Sequence, residues 1–326
     1  MFDYSKRKID YVRISVTDKC NLRCVYCIPD EGVEQLHSQD ILTDEEIIRL
    51  CQSFISLGIN NIKITGGEPL LRKDVTGLIE QIKRLQGIQR VTLTTNGVKL
   101  KEYLPDLIKA GLDGINISLD TLNGEIYRKI TSKDALEKVL ESVEQALAYE
   151  HLNVKINCVP SELMDSCDII NMAALAKDSR LNVRFIEMMP IGPGKNFTSW
   201  SEDKIMKLLE KTYGTLQLTE TMYGNGPAHY YSIKGFKGKI GFISALSHQF
   251  CGNCNRVRVT SDGCLKTCLY YAENLDLKNI LRKSNGNMAL EQAIWQNIYD
   301  KPAGHKFKSD NEDGKIGQVT MSQIGG

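Results

Sequence analysis

From residue 11 to about residue 188 the chain alternates short β-rich runs with helical patterns, and no other feature of its 326 residues restricts the fold as strongly. The runs are 12–17 (VRISVT), 61–65 (NIKIT), 90–95 (RVTLTT), 114–119 (GINISL), 153–158 (NVKINC) and 182–187 (NVRFIE). Helical stretches lie between them, for example Thr43–Leu57, Val75–Leu85 and Asp134–Tyr149. Thr43 followed by Glu46 is a capping box and marks where the first of these begins. Six such units predict an α/β fold: a parallel sheet with right-handed crossovers, curled into a full or partial barrel.

Residues along a strand alternate faces with period two. One face of the six runs reads Val12/Ile14/Val16, Ile62/Ile64, Val91/Leu93, Ile115/Ile117/Leu119, Val154/Ile156/Cys158 and Val183/Phe185, the residues expected to pack under the helices. The other face reads Arg13/Ser15, Lys63/Thr65, Thr92/Thr94, Asn116/Ser118, Lys155/Asn157 and Arg184, with a cation on four of the six strands. A closed eight-stranded barrel fills its interior with branched apolar side chains, and unpaired buried charge is costly. The simplest physical account is a wide, open barrel that holds a large anionic ligand; the alternative is that some of these residues face solvent at a sheet edge.

After Pro190 the pattern changes, and Gly192-Pro-Gly194 reads as a linker. We therefore expect a barrel over 1–190 and a C-terminal domain over 191–326. The second part holds a helix near 201–212, a hairpin-like pair (His229–Lys234, Lys239–Ala245), a helix near Ala289–Tyr299 and a polar end closing on Gly325-Gly326. The formal net charge of +1 favours neither nucleic acid nor a membrane surface, so an anionic ligand must be met by locally placed Lys and Arg. No run is long and apolar enough to span a bilayer, and the start of the chain lacks the apolar stretch of a signal peptide, so a cytoplasmic protein is expected.

Ten cysteines is the unusual count, and in a reducing compartment few of them are expected in disulfides. Cys51, Cys158 and Cys167 are scattered and read as small buried hydrophobes. Cys20, Cys24 and Cys27 form a CxxxCxxC loop directly after the first strand. Three thiolates on a short loop suit a cubane iron–sulfur cluster with one iron left open; zinc would want a fourth protein ligand, and another type of iron–sulfur site is the remaining alternative. Together with Gly66-Gly67-Glu68-Pro69 after the second strand, this loop resembles the radical S-adenosylmethionine (SAM) superfamily. The resemblance implies a [4Fe–4S] cluster that cleaves SAM, with Glu68 placed to meet SAM's amino group. Thr94–Gly97 (TTNG), Ser118–Asp120 (SLD) and Met189 fall at strand ends on the same rim.

A second group, Cys251-Gly-Asn-Cys254-Asn-Arg256-Val-Arg258 followed by Cys268, narrows the resemblance over essentially the full length to the GTP 3′,8-cyclase family of molybdenum cofactor biosynthesis. The family implies a partial (βα)6 TIM-like barrel with a C-terminal α+β extension, in which Cys251, Cys254 and Cys268 hold a second [4Fe–4S] cluster that meets the guanine. Carried over by motif, Arg13, Lys63, Thr94, Lys155, Arg256, Val257 and Arg258 would contact GTP, and Arg184 on the same polar strand face is expected to join them. Tyr26, Gly67, Ser118 and Met189 would contact SAM. Arg256, Arg258 and the Gly325-Gly326 tail would serve the reaction itself. Cys264 could compete with Cys268, and Lys63 stands where many relatives have Arg. The implied reaction cleaves SAM to a 5′-deoxyadenosyl radical, removes H3′ of GTP and joins C3′ to C8. Its product feeds cyclic pyranopterin monophosphate synthase, and a flavodoxin or ferredoxin would supply electrons. The protein would act as a monomer or homodimer. Two rivals stay open: a radical SAM peptide maturase with an auxiliary cluster, and a non-enzymatic metal-binding scaffold.

Overall fold

The computed structural model describes residues 1–221, 223–272, 274–283, 286–307 and 321–325. In chain order the strands are β1 Tyr11–Ser15, β2 Asn61–Thr65, β3 Arg90–Thr95, β4 Gly114–Ser118, β5 Asn153–Cys158, β6 Asn182–Ile186, β7 Leu216–Leu218, β8 His229–Ile233, β9 Ile240–Ile243, β10 Arg256–Val259, β11 Cys264–Lys266 and β12 Leu275–Asp276. The α-helices are α1 Asp44–Ser56, α2 Val75–Lys83, α3 Leu100–Lys109, α4 Gly124–Thr131, α5 Leu136–Ala148, α6 Ser166–Ala174, α7 Glu202–Tyr213, α8 Leu277–Lys283, α9 Met288–Tyr299 and α10 Met321–Ile324.

The first six strands lie side by side in chain order and parallel, as the βα alternation predicts. The capping box at Thr43 is present, with Glu46 N–H donating to Thr43 Oγ1 at 3.2 Å and Thr43 N–H to the Glu46 carboxylate at 2.9 Å. The apolar strand face packs under the helices: Val12, Ile14, Ile62, Ile64, Val91, Leu93, Ile115, Ile117, Val154, Ile156, Val183 and Phe185 all lie in one continuous core.

The sheet does not stop at β6. β9 pairs parallel with β6, and β10 pairs parallel with β1, so eight parallel strands stand in a row with antiparallel strands at both ends. The hairpin expected near 229–245 is present as β8 and β9, but as an extension of the barrel sheet. Residues beyond 190 thus supply both edges of the sheet. The Gly192-Pro-Gly194 segment is a 3-10 turn, Gly192–Asn196, with Gly194 buried against the Met189 carbonyl; it is a packed corner where a loose linker is expected. Among the described residues no helix is long and apolar enough to cross a membrane.

Candidate functional site

The polar strand face turns inward. Register places Arg13 beside Lys63 on β1 and β2, Asn116 beside Lys155 on β4 and β5, and Asn157 beside Arg184 on β5 and β6. All four cations line one cavity of about 330 Å³, and Lys63, Lys155 and Arg184 are each less than a tenth exposed. None of the four sits at an exposed sheet edge. Arg184 donates to the Asn157 side-chain oxygen. Lys63 and Lys155 have no hydrogen-bond or ion-pair partner among the described residues. Burial, and then the neighbouring cations Arg13, Arg184 and Lys155, drives the Lys63 ammonium well below its usual range. Burial, with Arg184 and Arg90 adding to it, lowers Lys155 to about 7. Two buried ammonium groups without acceptors make a site that is costly when empty and suited to a polyanion.

The pairing of β10 with β1 explains where the Arg-x-Arg pair sits. Tyr11 is the neighbour of Arg256, and Arg13 that of Arg258, so period-two alternation puts both arginines on the interior side. Val257, one residue between them, sends its side chain into the core, which leaves only its main chain to meet a ligand. Arg256 lies over the Phe250 ring with its guanidinium carbon 5.0 Å from the centroid. Arg258 Nη1 donates to the Gly325 carbonyl at 2.6 Å. Gly325 sits against Ser15 and Thr65, so the end of the chain reaches the barrel interior. Gly326 lies outside the described residues. Thr94 is buried and accepts from Asn116 Nδ2 at 3.5 Å; Asn116 is in turn the register neighbour of Lys155.

At the upper rim, where the strands end, Cys20, Cys24 and Cys27 occupy the loop after β1. Cys20 Sγ accepts from Leu22 N–H at 3.5 Å and from Asn96 Nδ2 at 3.8 Å. Burial raises the Cys24 thiol well above its usual range, and Cys27, Asp120 and Cys20 are close enough to add to the shift. Among the described residues no three His, Cys, Asp or Glu side chains converge as on a single metal ion. A cubane takes each thiolate on a different iron, and three cysteines on one loop, with two donors aimed at the Cys20 sulfur, suit it.

The Gly66-Gly67 pair has a steric cause. A Cβ on Gly67 would lie 2.3 Å from the Lys19 carbonyl oxygen and 2.6 Å from that of Asp18. Gly67 N–H donates to the Thr17 carbonyl and Glu68 N–H to the Lys19 carbonyl, both at 2.7 Å. The close approach is therefore to the backbone of the cysteine loop. Glu68 is buried and already engaged: Oε1 accepts from Thr95 Oγ1 at 2.7 Å and Leu70 N–H at 3.1 Å, and Oε2 accepts from Asn96 N–H at 2.7 Å. Burial pushes its pKa up to about 7 against these hydrogen bonds. Its visible work is to clamp the ends of β2 and β3 together, with one lone pair of Oε2 left over. Tyr26 donates to Asp120 Oδ2 at 2.7 Å, tying the cysteine loop to the end of β4. Asp120 also accepts from Val159 N–H at 2.7 Å, and burial raises it to about 6. Ser118 ends β4, half-buried.

The second group lines a smaller cavity of about 60 Å³ with Met189, Arg256, Arg258 and Lys301. Cys268 is there with Cys251 and Cys254; Cys264, the first residue of β11, is not, and its thiol instead donates to Asp262 Oδ2 at 3.7 Å. Two basic residues that the motifs do not mark hold this corner. Arg7 is buried, paired with Asp3 at 2.6 Å, and donates to the carbonyls of Cys251, Lys301, Pro302 and Ala303. Lys301 Nζ donates to the Arg256 carbonyl at 3.1 Å and to that of Thr267. Burial would raise the Cys254 thiol, yet Lys301, Arg256 and Arg7 together bring it below its usual value. The two triplets thus differ: the first lies near carboxylates, the second among cations. Only the burial of Arg7 and Lys301, not their spacing, distinguishes them from surface basics, so sequence reasoning passed over them.

Known proteins give a consistent picture. A Radical SAM superfamily profile matches residues 14–176, and a Molybdenum Cofactor Synthesis C profile matches residues 181–307. A GTP 3′,8-cyclase of Clostridium perfringens (strain 13 / Type A) is 41% identical over 326 residues, covering 100% of both chains. One from Desulforamulus reducens is 42% identical over 329 residues, again covering 100% of both. The Dictyostelium discoideum molybdenum cofactor biosynthesis protein 1 is 39% identical over 93% of this chain and 49% of that longer protein. In shape the chain resembles Streptococcus suis SuiB bound to S-adenosylmethionine, with a TM-score of 0.61 and 14% identity over 90% of this chain and 68% of that one. That last likeness speaks to the fold alone.

Proposed function

This chain belongs to the GTP 3′,8-cyclase family of radical SAM enzymes, and we propose that it joins C3′ of GTP to C8 of its guanine, giving 3′,8-cyclo-7,8-dihydro-GTP for molybdenum cofactor biosynthesis. One observation carries the reading: four cations line a single cavity inside the barrel, and that cavity shares Arg256 with the one lined by the second cysteine triplet. A cation cluster beside one triplet would suit many anions, but this one lies below a radical-type rim and beside a second thiolate group.

Cys20, Cys24 and Cys27 would hold a [4Fe–4S] cluster, which would supply the electron for reductive cleavage of SAM. The chain's own residues hold and shield. Arg13, Lys63, Lys155 and Arg184 take the triphosphate by charge-assisted hydrogen bonds. No GxxxxGK[ST] loop exists, so these side chains replace one. Cys251, Cys254 and Cys268 would hold a second [4Fe–4S] cluster, which would offer the guanine a binding partner, with Arg7 and Lys301 setting the positive surroundings. Arg256 and Arg258 steady the guanosine, and Arg258 orders the Gly325 end of the chain. Tyr26, Gly67, Ser118 and Met189 border the SAM side. Glu68 positions that side chiefly through the β3 end. The family also points to cyclic pyranopterin monophosphate synthase downstream, to a flavodoxin or ferredoxin as donor, and to a cytoplasmic setting.

Anaerobic incubation of the reconstituted protein with GTP, SAM and reductant, followed by mass analysis, tests this. The expected result is an isomer of GTP with unchanged mass and a new C3′–C8 bond, one hydrogen lost to 5′-deoxyadenosine being replaced by an electron and a proton at N7, with 5′-deoxyadenosine formed only when GTP is present. Unchanged GTP beside SAM cleavage on a peptide would favour a maturase.

A further inference from the structure

The lower mouth of the barrel, where the strands begin, holds residues that neither the strand-face pattern nor the family motifs single out. Arg90 is the first residue of β3; it is exposed and lines the same cavity as the four interior cations. The mouth is crossed by a bend at 224–227, Gly224-Asn225-Gly226-Pro227, which also lines that cavity. A Cβ on Gly224 would lie 3.2 Å from Lys155 Nζ, so the bend rests against an interior ammonium. Arg90 Nη1 donates to Asn225 Oδ1 at 3.2 Å. Asn255 holds the bend from its other side, donating to the Asn225 carbonyl at 3.0 Å.

Arg90 has no carboxylate partner among the described residues. The acids near the mouth are otherwise engaged: Asp113 is taken by Lys83 at 2.8 Å and by Val91 N–H at 2.6 Å, and Asp10, which lines the adjoining cavity with Arg90, accepts from Asn255 Nδ2 at 2.8 Å. The partner Arg90 does have is a neutral amide oxygen, which an anion displaces readily. Arg90 also belongs to the same field as the interior cations, since it is one of the charges that disfavour a proton on Lys155.

We propose that Arg90 binds the terminal phosphate of the nucleotide, with the 224–227 bend as the floor of that subsite, and so sets the preference for a triphosphate. The inference rests on the GTP reading above. That reaction needs C3′ to face the upper rim. A triphosphate leaving C5′ then runs down past the interior cations, and its last phosphate is the part nearest the lower mouth. A diphosphate would satisfy the interior cations and leave Arg90 with Asn225.

Equilibrium binding of GTP, GDP and GMP to anaerobically reconstituted protein without SAM tests this, using wild type, Arg90→Ala, Arg90→Lys and Asn225→Ala. Arg90→Ala is expected to weaken GTP by ~10-fold or more, the loss of one charge-assisted contact, while GDP changes by less than about threefold, as for a peripheral charge. Arg90→Lys should keep part of the preference. Asn225→Ala frees Arg90 and should keep all of it. Equal losses of GTP and GDP in Arg90→Ala, or none, overturn the inference. So does a collapse of preference in Asn225→Ala matching that in Arg90→Ala, which would make Arg90 an anchor for the bend only. Wild type that binds no guanosine nucleotide would overturn the GTP reading, and this inference with it, before any variant is compared.

Discussion

Lys155 offers a test in which stability and ligand binding move in opposite directions. Its buried ammonium titrates near 7, against 10.5 for an ordinary lysine, because burial, Arg184 and Arg90 all disfavour the charge. Between those values the unfolded chain holds a proton that the folded chain has released. Stability without ligand therefore rises with pH through that window. A shift of this size sets a ceiling of roughly 5 kcal/mol, of which roughly 1.5–2 kcal/mol is recovered between pH 7 and 8.5. For a chain of 326 residues that amounts to about 2–3 °C in melting temperature. Glu68 runs the other way, since its folded pKa of about 7 is raised, and most of its contribution is lost by pH 7 as pH rises. Comparing wild type with Lys155→Met cancels that background. Thermal unfolding of both proteins at pH 7, 7.75 and 8.5 should show the wild-type excess slope, and Lys155→Met should be the more stable of the two at pH 7. Saturating GTP should flatten the wild-type slope, because a phosphate beside the ammonium restores its proton. Parallel slopes for the two proteins, or a slope that GTP leaves unchanged, would refute the picture of a pocket held open by unpaired charge.

Other consequences are local. Gly67→Ala drives a Cβ into the Lys19 and Asp18 carbonyls, and the displaced cysteine loop should appear as about four fewer irons per chain after reconstitution. Glu68→Gln turns an amide N–H₂ toward donors that now meet an oxygen, at a cost of about 2 kcal/mol, measurable as a lower melting temperature. Tyr26→Phe leaves Asp120 Oδ2 without its donor, costing ~1–2 kcal/mol at pH 8 and less below pH 6, where Asp120 takes up a proton; unfolding at the two pH values checks the sign. Lys301→Met removes the cation that acts most strongly on the Cys254 thiol, so the cluster assigned to Cys251, Cys254 and Cys268 should keep its iron but titrate at a lower midpoint potential in a redox titration followed by electron paramagnetic resonance.

Much of this was legible because period-two and helical periodicities act locally. The six strands of the barrel, their apolar outer face and their cationic inner face follow from residues one or two apart, and the structure keeps all three. What the local pattern could not supply is pairing between distant segments. Arg256-Val-Arg258 has the alternation of a strand, yet nothing near it says that its partner is Tyr11–Ile14, which is what turns both arginines inward. The same holds for Ile240–Ile243 beside β6. A break at Pro190 is visible in composition, but the turn that follows it buries Gly194 against the Met189 carbonyl. The Gly-Gly-Glu motif was legible as a motif only; that its glycines serve the Thr17–Lys19 backbone and its carboxylate the Thr95–Asn96 corner needed coordinates, because those contacts join loops from three strands. Arg7 carries no spacing signal at all, and Arg90, although in period with Thr92 and Thr94, stands at the exposed start of its strand, where only its neighbours distinguish it.

The central claim is that GTP lies with C3′ toward the cysteine rim, and hydrogen transfer reads that placement directly. GTP deuterated at C3′ should yield singly deuterated 5′-deoxyadenosine and a product that has lost that label at C3′. Unlabelled 5′-deoxyadenosine formed in step with GTP consumption, or label retained at C3′ of the product, would contradict the account.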